Sequence, residues 1–110
     1  ARAQRAIDAG ITLRIDWLQQ QPPAIEADYV SKSDVAAPAT LNVRMTHATL
    51  PALDQTLTLV RVVGTERYRA SIESLPSGAW LIEVSAADWR LRGRIESSGG
   101  AVILGATNGG

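Results

Sequence analysis

The sequence predicts an all-β protein, a sandwich of six to eight short and mostly antiparallel strands. Three observations support this prediction: apolar and polar residues alternate in several segments, turn residues separate those segments, and no segment has a convincing helical period. The 110 residues suffice for one hydrophobic core. We therefore expect one sandwich domain over residues 1–98, followed by a tail over residues 99–110 that is either one last strand or a poorly ordered end.

The first third of the chain contains one clear strand and one long connection. Residues 1–9 are polar and rich in alanine, and the segment ITLRIDWL that follows them places four apolar side chains on one face of a strand. From Gln19 to Thr40, three prolines and weak periodicity predict a long loop with room for a short edge strand near residues 28–31. Long loops of this kind often carry function in small β-domains.

Three further strands are predicted in the middle of the chain. The inward face of TLNVRMTH carries Leu41, Val43, Met45 and His47. In TLTLVRVV the apolar phase shifts from Leu59 to Val60, which predicts either a bulge or a strand that is buried on both faces. After a turn at Gly64, the segment YRASI has the alternation of another strand, with Tyr68 on its inward face.

The segments WLIEV and WRLRGRI predict a hairpin that is joined by a short Ala-Ala link. We expect Ser85 to pair with Asp88, which sets Val84 opposite Trp89 and leaves Glu83 paired with Arg90 on the solvent face. Together with the preceding strands, this hairpin makes an immunoglobulin-like sandwich the most plausible architecture.

Composition excludes several classes of function. The 11 Lys and Arg residues balance the 11 Asp and Glu residues, so we expect no nucleic-acid partner held by the field of the whole molecule. The absence of cysteine excludes disulfides, zinc–thiolate sites and cysteine nucleophiles. The chain begins with Ala1 and has its single methionine at Met45, so we expect that an upstream segment, such as an anchor, has been removed.

Met45 and His47 are the only methionine and the only histidine, and they stand two residues apart in one strand. Side chains at this spacing leave the same face of a strand about 7 Å apart, and a thioether with an imidazole suits Cu(I). Alternatively, Met45 continues the apolar stripe into the core, while His47 caps a backbone group at the strand end. Two ligands are too few for a tight site, so we favour the second interpretation.

A basic stripe is predicted on one strand face, where Arg90, Arg92 and Arg94 alternate with apolar residues. Such a stripe suits an acidic partner or lipid headgroups. The favoured alternative is a solvated face that pairs with Glu83 and Glu96 and protects the strand edge from aggregation.

No catalytic site is expected. A hydrolase could combine His47 with Asp54 and a serine, but the sequence has no nucleophile elbow of the form G-x-S-x-G, and the single histidine has a structural explanation. We therefore expect a protein that is not an enzyme and has no cofactor, with copper as the one alternative.

Three segments in a fixed order carry a family resemblance: THATLPALDQTLTL, ERYRASI and LPSGAWLIEVSAADWRLRGRI. Their matching positions are His47, Thr49, Leu53, Asp54, Tyr68, Arg69, Pro76, Gly78, Trp80 and the run from Trp89 to Gly93. In this order and spacing the segments resemble the periplasmic domain of the FixH (CcoH) family, with Ala48 in place of the usual proline. The resemblance covers residues 1 to about 96 and is densest from Thr46 onward.

The resemblance implies a membrane-anchored accessory protein for the assembly of cbb-three-type cytochrome c oxidase. It implies a noncatalytic domain at the periplasmic face of the inner membrane, whose N-terminal transmembrane helix is missing from this chain. The implied partners are membrane oxidase subunits and a copper-transporting ATPase; the alternative is a carrier domain that delivers copper to the oxidase. We expect the partner surface to include His47, Thr49, Asp54, Arg90 and Arg92, with Met45 and His47 as the copper ligands if copper binds.

Overall fold

A computed structural model describes residues 2–72, 76–97 and 100–105 of the chain. Within these ranges one short helix, α1 (Arg2–Ala9), precedes the strands. The strands are β1 (Ile11–Leu18), β2 (Ala24–Ser31), β3 (Thr40–His47), β4 (Gln55–Arg61), β5 (Arg67–Ser71), β6 (Ala79–Ser85), β7 (Arg90–Glu96) and β8 (Val102–Gly105). A 3₁₀ turn, Pro51–Leu53, lies between β3 and β4.

The strands form one curled antiparallel sheet in the order β7-β6-β3-β4-β5-β2-β1-β8. The run β4-β5-β2-β1 follows one sheet of an immunoglobulin sandwich, and the run β7-β6-β3 follows the other. Pairing between β3 and β4 joins the two halves. The edge strands β7 and β8 contact each other, so the sheet is nearly closed into a barrel. The all-β prediction is confirmed, and the strand order is that of an immunoglobulin-like sandwich.

The core is filled by the inward faces that the alternation predicts. The large side chains buried in the interior include Ile11, Leu13, Ile15, Leu41, Val43, Met45, Tyr68, Trp80, Ile82 and Trp89. Each such side chain contributes about 1.5–3 kcal/mol through removal of apolar surface from water.

The predicted long loop over residues 19–40 is wrong in its first half. Strand β2 occupies Ala24–Ser31 and lies between β1 and β5 rather than at an edge. Its alternation is hard to see in the sequence because the inward Ala27 is small, Ala24 is buried although it stands on the other phase, and the outward Val30 is apolar. The remaining connection, residues 32–39, is held by two buried tyrosines: the Tyr29 hydroxyl donates to the Val35 carbonyl at 3.0 Å, and the Tyr68 hydroxyl donates to the Pro38 carbonyl.

Helix α1 was not expected from the pattern of residues 1–9. The helix has only eight residues, and its buried side chains, Ala6 and Ala9, are too small to reveal a helical period in the sequence. It ends at Gly10, which has a φ of +65° and whose N–H donates to the Ile7 carbonyl at 3.1 Å. The helix packs against β7 and β1.

The β6–β7 hairpin has the expected faces but a different register. Ser85 pairs with Arg90 rather than with Asp88, so Glu83 meets Arg92 instead of Arg90. The connection is longer than the Ala-Ala link because Trp89 is buried in the turn, where its carbonyl accepts the N–H of Ala86. A shift of two residues keeps every side chain on the same face of the sheet.

Two other segments differ from their sequence patterns. Strand β4 pairs with β3 without interruption from Gln55 to Val60, and Val60 is 57% exposed, so this strand has neither a bulge nor two buried faces. Part of the tail forms β8, which pairs with β1. There Leu104 fills the space over Gly93, where an added Cβ would lie 2.2 Å from the leucine Cδ2. Residues 106–110 lie outside the described part of the chain.

Candidate functional site

His47 ends β3 and holds the turn that follows it. The side chain is buried, with 6% exposure, and its ring packs edge-on against Trp80 with 4.8 Å between centroids. Nδ1 faces the backbone N–H groups of Thr49 at 3.2 Å and Leu50 at 3.1 Å, so it is the acceptor. Nε2 therefore carries the proton and donates to the Ser77 carbonyl at 3.0 Å. Both ring nitrogens thus have partners within the chain.

Asp54 closes the same turn from its other end. Its Oδ1 accepts the backbone N–H of His47 at 3.1 Å, and its own N–H donates to the Pro51 carbonyl at 3.1 Å. Ala48 extends the β3–β6 ladder by one more bond, from its N–H to the Ala79 carbonyl at 3.0 Å. The turn is therefore held at its start, middle and end.

Residues 76–78, which lead into β6, cover the His47 ring. Gly78 has a φ of +128°, and a Cβ added there would lie 2.8 Å from Nε2 of His47. Only glycine allows the backbone to come this close in this conformation. The Gly78 N–H donates to Ser97 Oγ at 2.9 Å, and the Trp80 indole donates to the Pro76 carbonyl at 3.1 Å.

The turn presents a compact, mostly apolar surface, which we call the His47 tip (residues 48–52). All five of its residues are exposed, and Leu50 has 53% of its surface in contact with solvent. Because the backbone is held by His47 and Asp54, a partner that binds the tip loses little entropy in ordering it.

Met45 and His47 lie on the same inward face of β3, as the sequence predicts. Met45 is 1% exposed and belongs to the core. The one ring nitrogen of His47 with a free lone pair, Nδ1, already faces two backbone N–H donors. Among the residues that the structure describes, no three His, Cys, Asp or Glu side chains converge to hold a metal ion. Copper binding at Met45 and His47 stays a prediction.

The predicted partner residues fall into two groups. His47, Thr49 and Asp54 come together in the turn, whereas Arg90 and Arg92 lie on β7. Nε of Arg92 donates to Glu83 at 2.8 Å. Arg90 is half-buried, and its Nε has no hydrogen-bond partner in the described part of the chain.

Several residues of the site were not identified from the sequence. Gly78 was named only as a position of the family resemblance and Ser77 was not named as a site residue, because they contact His47 from a distance of some 30 residues along the chain. Arg44 and Leu81 join the basic stripe only through the pairing of β6 with β3 and β7. Local patterns do not predict such contacts.

The comparisons with known proteins agree with the sequence resemblance. A family model described as FixH matches residues 1–96, from α1 to the end of β7. No curated protein and no solved structure matches the chain. Within the described ranges, no helix is long and apolar enough to cross a membrane. Because the family match covers most of the chain, including the His47 tip and the basic stripe, the chain belongs to the FixH family.

Proposed function

We propose that this chain is the noncatalytic periplasmic domain of a membrane-anchored accessory protein for the assembly of cbb-three-type cytochrome c oxidase. Membership of the FixH family supports the accessory role. The proposed partners are membrane oxidase subunits and a copper-transporting ATPase, which the domain contacts through its protein surface. An N-terminal transmembrane helix ahead of α1 is part of this proposal.

The observation that supports a binding role is the construction of the His47 tip. A buried histidine uses both ring nitrogens to hold backbone groups, and the side chains that it positions face solvent. Exposed apolar side chains on a preorganised backbone are a common form of protein-binding surface. In this role His47 is a positioning residue, and the contact with the partner is made by Leu50 and its neighbours.

The start of α1 and the His47 tip lie at opposite ends of the sheet, and this arrangement supports the same role. The Arg2 side chain donates to the carbonyl of Ala86, so the start of α1 lies at the end of the sheet where β6 leads into β7. His47 pairs with Trp80 at the opposite end of β6. An anchor ahead of α1 would therefore leave the His47 tip pointing away from the membrane.

A copper carrier is the alternative function, and it requires an accessible thioether and imidazole. The burial of Met45 and the internal hydrogen bonds of His47 favour the partner-binding domain over the carrier. No described cluster of other ligand types favours the carrier instead.

The test is copurification of oxidase subunits with the full-length membrane protein in its host. We expect Leu50→Asp to reduce both the copurified oxidase subunits and the cellular oxidase activity, because it places a charge in the apolar tip. Val63→Asp is the matched control, since Val63 is 95% exposed and lies in the turn at the opposite end of the sheet. Equal copurification with wild type, Leu50→Asp and Val63→Asp would contradict the proposal.

A further inference from the structure

The two outer faces of the sheet differ in their balance of charge. On β1, β2 and β5 three arginines meet three carboxylates, and cross-strand ion pairs join Arg67 to Asp28 at 2.9 Å and Arg69 to Glu26 at 3.4 Å. On β3, β6 and β7 four arginines meet only two carboxylates. That second set is Arg44, Arg90, Arg92, Arg94, Glu83 and Glu96. Of these two strand faces, only the second therefore has an excess of positive charge, in a chain that is neutral as a whole.

The guanidinium groups of this face retain free donors. Arg44 is exposed and has no ion pair or hydrogen bond with any residue that the structure describes. The Nε of Arg92 donates to Glu83, and its two terminal nitrogens have no hydrogen-bond partner in the described part of the chain. Arg94 lies 3.6 Å from Glu96, and both of these side chains are largely exposed. Exposed ion pairs of this kind contribute little to stability, so a carboxylate of a ligand can replace Glu83 or Glu96 at low cost.

A shallow hollow lies between these arginines. The residues that line it are Arg44, Thr46, Leu81, Ile82, Glu83, Arg92 and Gly93. Leu81 is 53% exposed although it stands in the middle of a polar face. Leu81 pairs with Thr46 and Arg94, in the row next to the one in which Glu83 separates Arg44 from Arg92. The hollow thus places one apolar side chain beside two forked cationic donors.

This combination selects one class of ligand. Guanidinium forks bind carboxylates in a bidentate manner, and Leu81 adds an apolar contact beside them. Glu83 stands between Arg44 and Arg92 in the sheet and repels a dense array of phosphates. An acidic peptide can place its carboxylates on either side of Glu83, whereas a nucleic acid or an anionic membrane surface presents anionic groups across the whole face.

We propose that the arginine face (Arg44, Leu81, Arg92 and Arg94) binds an acidic segment of a protein partner. Carboxylates of the segment contact Arg44 and Arg92 on either side of Glu83, and a neighbouring apolar side chain of the segment packs on Leu81. The proposal rests on the proposed partner-binding function and adds the chemistry of the partner. It also extends the interaction surface beyond the His47 tip, from which Thr46 and Leu81 lead directly onto this face.

The test is a titration of the 110-residue chain with the peptide acetyl-EELEE-amide, followed by amide chemical shifts in NMR. We expect shifts at Thr46, Leu81 and Arg92, and binding that weakens as salt is added. Arg44→Gln and Arg92→Gln are each expected to weaken binding about twofold to fivefold, the size of one exposed ion pair. Arg67→Gln, on the opposite face, is the matched control and leaves the affinity unchanged.

Other outcomes would overturn the inference. If acetyl-QQLQQ-amide binds with the same affinity as acetyl-EELEE-amide, the carboxylates do not contribute to binding. If the chemical shifts change only on other surfaces, the arginine face is not the binding site. Binding of phosphatidylglycerol vesicles without binding of the peptide would identify a lipid contact instead. Unchanged melting temperatures of the variants exclude misfolding as the cause of a loss. If Leu50→Asp impairs copurification while the peptide does not bind, the proposed function stands and the acidic partner is wrong.

Discussion

At the scale of single residues, His47 supplies hydrogen bonds to a turn whose backbone has left the β-ladder. The chain after β3 has two N–H groups, of Thr49 and Leu50, that point to the same ring nitrogen. On the other side of the ring, the Ser77 carbonyl accepts a hydrogen bond from Nε2. One buried side chain therefore joins two turns that lie far apart in the sequence.

This role predicts a large loss of stability in His47→Ala. The substitution empties a buried ring position and leaves the partners of both nitrogens unsatisfied, so we expect the free energy of unfolding to fall by about 3 kcal/mol. Urea denaturation measures the change. Thr49→Val is the control and should change the free energy by less than about 0.5 kcal/mol, because Nδ1 keeps both backbone donors and loses only the long 3.4 Å contact with the Thr49 hydroxyl.

A double-mutant cycle of His47→Ala and Gly78→Ala separates two costs of the alanine at position 78: its clash with the His47 ring and its backbone strain. The alanine methyl would lie 2.8 Å from the ring of His47, at a φ of +128°. We expect Gly78→Ala alone to cost about 2 kcal/mol or more. The His47→Ala/Gly78→Ala pair should cost less than the sum of the two, because the clash disappears. Simple additivity would show that Gly78 does not depend on the ring.

At the scale of elements, the connection between β2 and β3 is held by the hydroxyls of Tyr29 and Tyr68. Burial raises the pKa of both tyrosines above the ordinary value. Each hydroxyl is a donor to a backbone carbonyl, at Val35 and at Pro38, and this bond requires the protonated form. The connection is therefore sensitive to high pH.

The sign of this effect follows from the direction of the shift. Above pH of about 10 the unfolded chain loses the tyrosine protons while the folded chain keeps them, so the free energy of unfolding falls as pH rises. Below that pH the stabilisation is fully present. We expect the Tyr29→Phe/Tyr68→Phe variant to be less stable at neutral pH by about 1–2 kcal/mol and to lose less stability between pH 9 and 11. Urea midpoints across that range measure the difference, and equal slopes for both proteins would contradict it.

The helix and the strands also show which parts of the fold the sequence patterns predict. Strands β1 and β3 were predicted because Ile11 to Trp17 and Leu41 to His47 alternate with polar residues over their full length. Strand β2 was predicted only as a short edge strand near residues 28–31 because alanine carries little apolar signal, and helix α1 was missed for the same reason. The register of β6 and β7 was wrong by two residues because an even shift leaves the alternation unchanged.

At the scale of the whole molecule, the curled sheet separates two surfaces that the proposed function uses. The His47 tip lies at the end opposite the start of α1, and the arginine face leads away from that tip along β3, β6 and β7. The neutral composition conceals this distribution of charge. The stripe on β7 was visible in the sequence, but Arg44 joins it only through the strand pairing. The contact of His47 with Asp54 is local and was predicted as one surface; the contact with Ser77 is not local.

The most direct test of this account is a competition titration of Cu(I) between the domain and a chromogenic chelator. It separates a partner-binding domain from a copper carrier, because a carrier needs Met45 and His47 as ligands. We expect that wild type does not take Cu(I) from even a weak chelator, and that Met45→Leu behaves like wild type. Stoichiometric Cu(I) binding that is lost in both Met45→Leu and His47→Ala would contradict the partner-binding domain and identify a copper carrier.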